Sequence, residues 1–178
     1  MGPGSSLACA ITLNSSLTPE QQRLYQDPLV IQRLLRDART VAIVGLSTDP
    51  QRASWFVASY LQKEGYRIIP VNPRAPEILG EKCYPDLASI PEQVDLVDVF
   101  RPTAECYAVA EQAVAIKAKA LWLQLKLLNL PAAELAAKAG LAVVLDRCVK
   151  MEHGRYFGRL HWGGMNTEII SARKARLT

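Results

Sequence analysis

Between Gly45 and Ser54 the chain reads Gly-Leu-Ser-Thr-Asp-Pro-Gln-Arg-Ala-Ser. Gly45 permits a tight turn after Val44, and Leu46 carries the chain on into a stretch of small hydroxyls, Ser47, Thr48 and Ser54. A helix starting near Arg52 would turn its unpaired amides and the positive end of its dipole towards that loop. Arg52 itself would add a charge-assisted contact. The chemistry these residues suit is anion binding, with phosphate the natural ligand. A ligand-free arrangement uses the same residues: Asp49 caps the helix and Pro50 sits just inside it. The loop also lacks the full Gly-x-Gly-x-x-Gly pattern, so on its own it leaves both arrangements open.

Four further segments carry comparable groups. Val71-Asn72-Pro73-Arg74 ends a β-branched run. A fold that binds NAD places an acid there for the ribose 2′-hydroxyl, whereas an arginine suits a phosphorylated ribose. With Arg74 and no acid, NAD is disfavoured, and NADP and coenzyme A both remain, as does a plain solvated turn at Asn72-Pro73. Val99-Phe100-Arg101-Pro102 offers an aromatic surface and a guanidinium that either meets a phosphate or pairs with Asp98 or Asp95. In Trp122-Leu123-Gln124-Leu125-Lys126, Trp122 is expected in the core, with Gln124 available to a site. Asp146-Arg147-Cys148 adds a thiol, reactive only if Arg147 or Lys150 lowers its pKa and otherwise an inert buried cysteine.

The elements that must position these groups follow from periodicity. Ser16-Leu17-Thr18-Pro19-Glu20 opens one or two amphipathic helices through Leu35. Strands are expected at 40–45, 67–71, 94–100, 120–125 and 141–146, and helices near 52–64, 104–117 and 131–139, the last closed by Gly140. Residues 72–93 lack a period and read as a long, loop-rich connection of the kind that serves a site. Strands alternating with helices imply an α/β fold, a Rossmann-like doubly wound sheet of about five parallel strands with helices on both faces. Ligands of such sheets sit outside the carboxyl ends of the strands, where all the segments above fall.

Composition sets the frame. The chain has 178 residues, enough for one domain, and its 49% hydrophobic and 21% charged content is that of a globular protein. Residues 1–153 hold 16 basic and 16 acidic side chains, and residues 154–178 hold five basic ones against Glu168 alone, so the net +4 lies wholly in the tail. A neutral body argues against duplex binding, which calls for a basic stripe over the folded surface. No apolar run approaches the roughly 18 residues that cross a bilayer, and the start lacks signal-peptide order, so a cytoplasmic, membrane-free protein is expected. Cys9, Cys83, Cys106 and Cys148 are scattered without a Cys-x-x-Cys, so reduced thiols are expected rather than a disulfide framework or a zinc site. Three segments result: a leader with helices over 1–37, a nucleotide-binding domain over 38–153 and a basic tail over 154–178.

Taken together, Gly45 to Ser54, Val71-Asn72-Pro73, Gly80-Glu81-Lys82, Val97 to Arg101, Trp122 to Leu125 and Asp146-Arg147-Cys148 resemble the small bacterial CoA-binding proteins. These are similar to the isolated nucleotide-binding domain of the succinyl-CoA synthetase α subunit. The resemblance covers about residues 38–153 and implies a Rossmann-like fold binding coenzyme A or an acyl-CoA at the strand ends. Residue by residue, it implies that Gly45, Leu46, Ser47, Thr48, Pro50, Arg52 and Ser54 hold the CoA phosphates. It turns Asn72, Pro73 and Arg74 to the adenosine end and sets Val99, Phe100, Arg101 and Gln124 along the ligand. One departure is Lys126, where members often have glycine. The family has no secure activity for its free-standing members, and this chain lacks the synthetase's phosphorylated histidine domain; His153 and His161 fall at or beyond the domain's end.

A coenzyme A-binding module without its own chemistry is therefore the leading expectation. The alternatives are an NADP-dependent oxidoreductase, for which no Ser-Tyr-Lys-like trio is evident, or a CoA-thiol-dependent enzyme using Cys148. The basic tail is expected to serve self-association or an acidic partner, with nucleic acid disfavoured.

Overall fold

The computed structural model describes residues 17–158. Cys9, His161 and most of the basic tail lie outside the described residues.

Two short helices open the described chain because two capping signals, Thr18 and Asp27, follow each other closely. Thr18 and Gln21 form a reciprocal capping box before α1 (Pro19–Tyr25), and Asp27 accepts from the amides of Leu29 and Val30 to start α2 (Pro28–Asp37). A proline occupies the first position of each, where its missing N–H is not needed. The chain then alternates: β1 (Thr40–Val44), α3 (Ala53–Lys63), β2 (Arg67–Val71), a small ribbon of β3 (Glu77–Ile78) and β4 (Glu81–Lys82), then β5 (Leu96–Val99). A single 3-10 turn at Thr103–Glu105 leads into α4 (Cys106–Ala115), followed by β6 (Ala120–Leu123), α5 (Leu130–Lys138), β7 (Ala142–Val144) and α6 (Val149–Tyr156).

The five long strands form one parallel sheet in the order β2-β1-β5-β6-β7, the doubly wound arrangement expected from the alternation. Apart from the rim residues Thr40, Arg67 and Ala142, every residue of these strands is buried, Pro70 of β2 included, because helices cover both faces. Ala42, Val44, Val97, Val99, Leu121 and Leu123 pack against the alanine-rich α4 and α5, with Tyr25 of α1 joining them. Val41, Ile43, Leu96, Trp122 and Val144 face α2, α3 and α6 through Ile31, Leu35, Val57, Leu61 and Val149. This is the period-two alternation of a strand whose two sides are both core.

The loop-rich connection over 72–93 is better ordered than its composition suggests. β3 and β4 pair antiparallel around Leu79-Gly80, both at positive φ (57° and 77°), which is the two-residue turn that matches strand twist. At the far end, α6 was not expected from periodicity. It spans residue 153, packs against α2 and α3, and buries Val149, Glu152 and His153. His153 Nδ1 is 2.9 Å from the Tyr60 hydroxyl, and its ring lies edge-on to Tyr60 and Tyr66, so it is a packed, hydrogen-bonded histidine. Among the described residues no helix is long and apolar enough to cross a membrane.

Candidate functional site

The winding direction reverses between β1 and β5, because the crossover through α3 runs one way from β1 and the crossovers through α4 and α5 run the other way from β5. At such a switch point the two loops part and leave a crevice above the carboxyl ends. Gly45 follows β1 directly and has φ +86°. A Cβ there would stand 2.5 Å from the Phe100 carbonyl oxygen and 2.7 Å from Arg101 Cδ, so the β1 and β5 loops touch at a point that only glycine fits. The first and third of the segments singled out by sequence are thus in contact.

The second is tied in by Asn72. Its Nδ2 donates to the Leu46 carbonyl at 2.8 Å, and its Oδ1 accepts from the Arg74 amide at 2.8 Å. One side chain therefore fixes both the phosphate-type loop after β1 and the turn after β2. Arg74 is exposed and has no ion-pair partner among the described residues, while Pro73 is exposed beside it.

Within the β1 loop the structure corrects the capping expectation. The residue flanking α3 is Arg52, in extended conformation and with no side-chain cap. Asp49 instead accepts from the Gln51 amide at 2.9 Å and closes a turn through its carbonyl and the Arg52 amide, one turn upstream of the helix. Pro50 belongs to that turn and lies outside α3. Ser54 is buried, its Oγ accepting from the Ser47 amide at 3.1 Å, and Ser47 Oγ accepts from the Asp49 amide at 3.0 Å. The hydroxyls thus shape the loop, Thr48, Pro50 and Arg52 stand exposed on it, and Leu46 is fully buried beneath. No side chain caps the start of α3. Arg52 makes only a loose contact with Asp49, at 3.8 Å.

Arg101 is also placed differently from either pairing considered. It reaches forward to Glu105, with Nε and NH2 at 2.8 and 2.6 Å from Oε2, because Pro102 turns the chain so that residue 105 returns over residue 101. Val99 is core, so only its backbone borders the crevice, while Phe100 is half-buried at the rim.

Gln124 is turned inward. Its Nε2 donates at 2.7 Å to Oδ1 of Asp98, a residue the sequence reading considered only as a partner for Arg101. Asp98 is fully buried on β5 between Ile43 and Trp122, and its Oδ2 has no partner. Burial drives its pKa up to about 7, against the opposing pull of the Gln124 amide and the Val99 backbone amide. The signal for it was present: an acid inside the otherwise apolar run Val94 to Phe100. Cys148 does not behave as an activated thiol. Burial pushes it up and the Asp98 charge adds to this, outweighing the Met151 and Lys150 amides and the Lys150 ammonium. Lys126 occupies a left-handed position, φ +68°, with its amide held by Asp146 Oδ1 at 2.6 Å. That conformation is the one glycine adopts freely, so the departure noted at this position keeps the glycine backbone and adds a long, exposed cation to the same edge.

A family model described as a CoA binding domain matches residues 39–154. The chain belongs to the CoA-binding domain family. Its relatives include an uncharacterized protein, YneT, of Bacillus subtilis (strain 168), 37% identical over 123 residues that make up 69% of this chain and 91% of that one. The CoA-binding domain also matches an ADP-forming acetate–CoA ligase of Archaeoglobus fulgidus, 35% identical over 95 residues. It spans 52% of this chain and only 14% of the ligase. Among solved structures, a hypothetical protein from Pyrococcus horikoshii OT3 superimposes with a TM-score of 0.72 at 37% identity, covering 74% of this chain and 92% of the other. A Thermus thermophilus protein does so with a TM-score of 0.70 at 34% identity. These likenesses agree with the Rossmann-like sheet.

Proposed function

We propose that this CoA-binding domain protein is a coenzyme A-binding module that holds the ligand along the carboxyl edge of its sheet. The observation carrying the reading is the contact at the switch point. Gly45 admits no side chain against Phe100 and Arg101, and beside it the start of α3 offers amides that no side chain caps. The pyrophosphate of CoA suits that place, with Arg52 and Arg101 as flanking cations. The adenosine 3′-phosphate then falls to Arg74 over β2, on the side of the loop that Asn72 fixes. The pantetheine arm runs the opposite way, over the ends of β5 and β6, past Gln124 and Lys126. The arrangement is built for binding, with its cations at individual strand ends.

Titration calorimetry with CoA and with 3′-dephospho-CoA tests this. CoA is expected to bind roughly tenfold tighter, the worth of one charge-assisted phosphate contact. Arg74→Ala is expected to remove that difference while leaving the affinity for dephospho-CoA in place. Equal binding of the two ligands by the wild-type protein would refute the Arg74 assignment, and binding of neither at millimolar concentration would refute the module itself.

A further inference from the structure

One polar pair at the carboxyl edge, Asp98 with Gln124, has no part in binding phosphates or adenosine. Asp98 is fully buried on β5. Gln124 lies two residues past Trp122, the register partner of Asp98, and is only 5% exposed. Its Nε2 donates to Asp98 Oδ1 at 2.7 Å, and that bond decides which end of the carboxamide faces which way. A carboxylate only accepts, so it takes the NH2 end and turns Oε1 away. In the neutral acid the proton falls to Oδ2, which has no other partner, and Oδ1 goes on accepting.

Gln124 Oε1 is the free end of the pair. It has no hydrogen bond among the described residues, yet it is not one of the three side-chain atoms enclosed without a partner, which are Asp98 Oδ2, Arg147 Nε and Arg155 Nε. It is therefore where this nearly buried side chain meets solvent, just beyond the end of β6. Alternation sets Gln124 on the side of the sheet that Ile43 and Trp122 face, and its bond to Asp98 keeps it there. That side is the one α3 covers, so the phosphate-type loop and Gln124 border the same space.

Reach brings one group of the ligand to this point. The order β1-β5-β6 makes two strand spacings, about 9.6 Å, between the end of β1 and the end of β6. In CoA the amide nitrogen nearer the thiol is nine bonds from the phosphate ester oxygen, the length of three extended residues, or about 10–11 Å.

We propose that Asp98 is a positioning residue that presents the Gln124 oxygen as acceptor for the pantetheine amide N–H nearer the thiol; this rests on the CoA-binding reading above. The pair selects an arm that brings a donor to the end of β6. An arm with an ester oxygen at that point would set two acceptors face to face. Without Asp98 the carboxamide is free to turn over and offer its NH2 end, so the selectivity resides in the buried acid.

The test is calorimetry on the full-length protein with three probes: CoA, its analogue with an ester oxygen in place of that N–H, and adenosine 3′,5′-bisphosphate, which lacks the arm. The wild-type protein is expected to bind CoA roughly tenfold tighter than the ester analogue, the worth of one hydrogen bond to an acceptor otherwise unmet. Asp98→Leu and the smaller Asp98→Ala, shown by melting to be folded, are expected to lose this preference and to keep wild-type affinity for the bisphosphate. Gln124→Leu, which leaves the buried acid in place, is expected to do the same. Asp98→Asn retains a side-chain oxygen that accepts from Gln124 and is expected to retain the preference. Equal binding of CoA and its ester analogue by a wild-type protein that binds both would overturn the pairing and leave the module standing. A preference that persists in Asp98→Leu or Asp98→Ala would overturn the positioning role, and one that persists in Gln124→Leu would overturn the acceptor. Loss of the preference in Asp98→Asn as well, or a parallel loss of bisphosphate binding, would mean that any change at residue 98 disturbs the edge, and would overturn the positioning role too. Failure of the wild-type protein to bind CoA would overturn both this inference and the module it rests on.

Discussion

Gly45 concentrates the argument for the site in one residue. Its φ of +86° lies where an L-residue costs about 1–2 kcal/mol, and its missing Cβ is the space between the β1 and β5 loops. Gly45→Ala must therefore adopt strained backbone and also push back Phe100, whose carbonyl cannot give as a flexible side-chain end would. We expect a loss of about 2 kcal/mol or more in urea unfolding and a drop in CoA affinity of roughly tenfold or more by calorimetry; a variant with wild-type values in both would refute the close approach. Gly45, Asn72, Arg74 and Arg101 were legible because residue type and strand-end position alone mark them out. What their side chains do was not. Asn72 spends both ends of its amide on backbone, Arg101 turns to Glu105, and Gln124 turns to a buried acid. Each choice depends on a neighbour brought near by the fold, which no local pattern encodes.

At the scale of elements, the strands and helices were legible almost to the residue where a single period runs unbroken. The second strand is found at 67–71 as expected, and α3 and α5 within a residue or two. The differences occur where local pattern yields to tertiary bonds. The strand expected over 94–100 is confined to Leu96–Val99, because Asp95 is engaged elsewhere. Its Oδ2 accepts from the Arg39 and Thr40 amides at 2.7 and 3.1 Å, and its Oδ1 pairs with Lys119 at 2.7 Å, so one carboxylate pins the entries of β1, β5 and β6. α6 went unseen because its first turn carries no capping signal and its apolar residues are few; it is held by packing on α2 and α3. Burial alone would raise the Asp95 pKa, but the Lys119 pair and the two amides outweigh it and hold it at about 2. A carboxyl below its ordinary value of about 3.9 contributes stability that is complete above that value and lost as pH falls towards 2. Asp95→Ala should cost about 2–4 kcal/mol near neutral pH by leaving two strand-entry amides unpaired, and its deficit should shrink as acid is added. Urea unfolding at pH 7 and pH 3 checks both; a deficit as large at pH 3 as at pH 7 would remove the carboxylate from the account.

The molecule as a whole is neutral through residue 153, and the cations proposed for the ligand are placed one by one at strand ends, so net charge says little about its site. Buried titratable groups say more, because they couple the entire fold to pH. Asp98 has a native pKa of about 7, far above that of an unfolded aspartate. Between about pH 4 and 7 the native state holds a proton that the unfolded chain has released, so the stability this gives is full below that window and lost as pH rises through it. Glu152, raised by burial against the pull of Arg155 and Arg147, acts in the same direction. His153 works oppositely. Burial lowers its pKa against the opposing charge of Glu64, so below about 6.5 the unfolded chain takes up a proton that the native state refuses, and stability falls with acid. The two windows overlap, one sloping down with rising pH and the other up, so the two groups oppose each other in the wild-type profile between about pH 4.5 and 7. Single replacements should expose the components. Asp98→Asn should leave a protein that weakens on acidification below about pH 6.5, as His153 dictates. His153→Gln should leave one that weakens as pH rises towards 7, by up to a few kcal/mol for a carboxyl shifted this far. Urea unfolding at half-unit steps of pH would show slopes of opposite sign in the two variants. Parallel profiles for Asp98→Asn and the wild-type protein would mean that Asp98 ionises as an ordinary carboxylate, and that its buried, unpartnered oxygen carries a charge the surrounding sheet has found some way to accept.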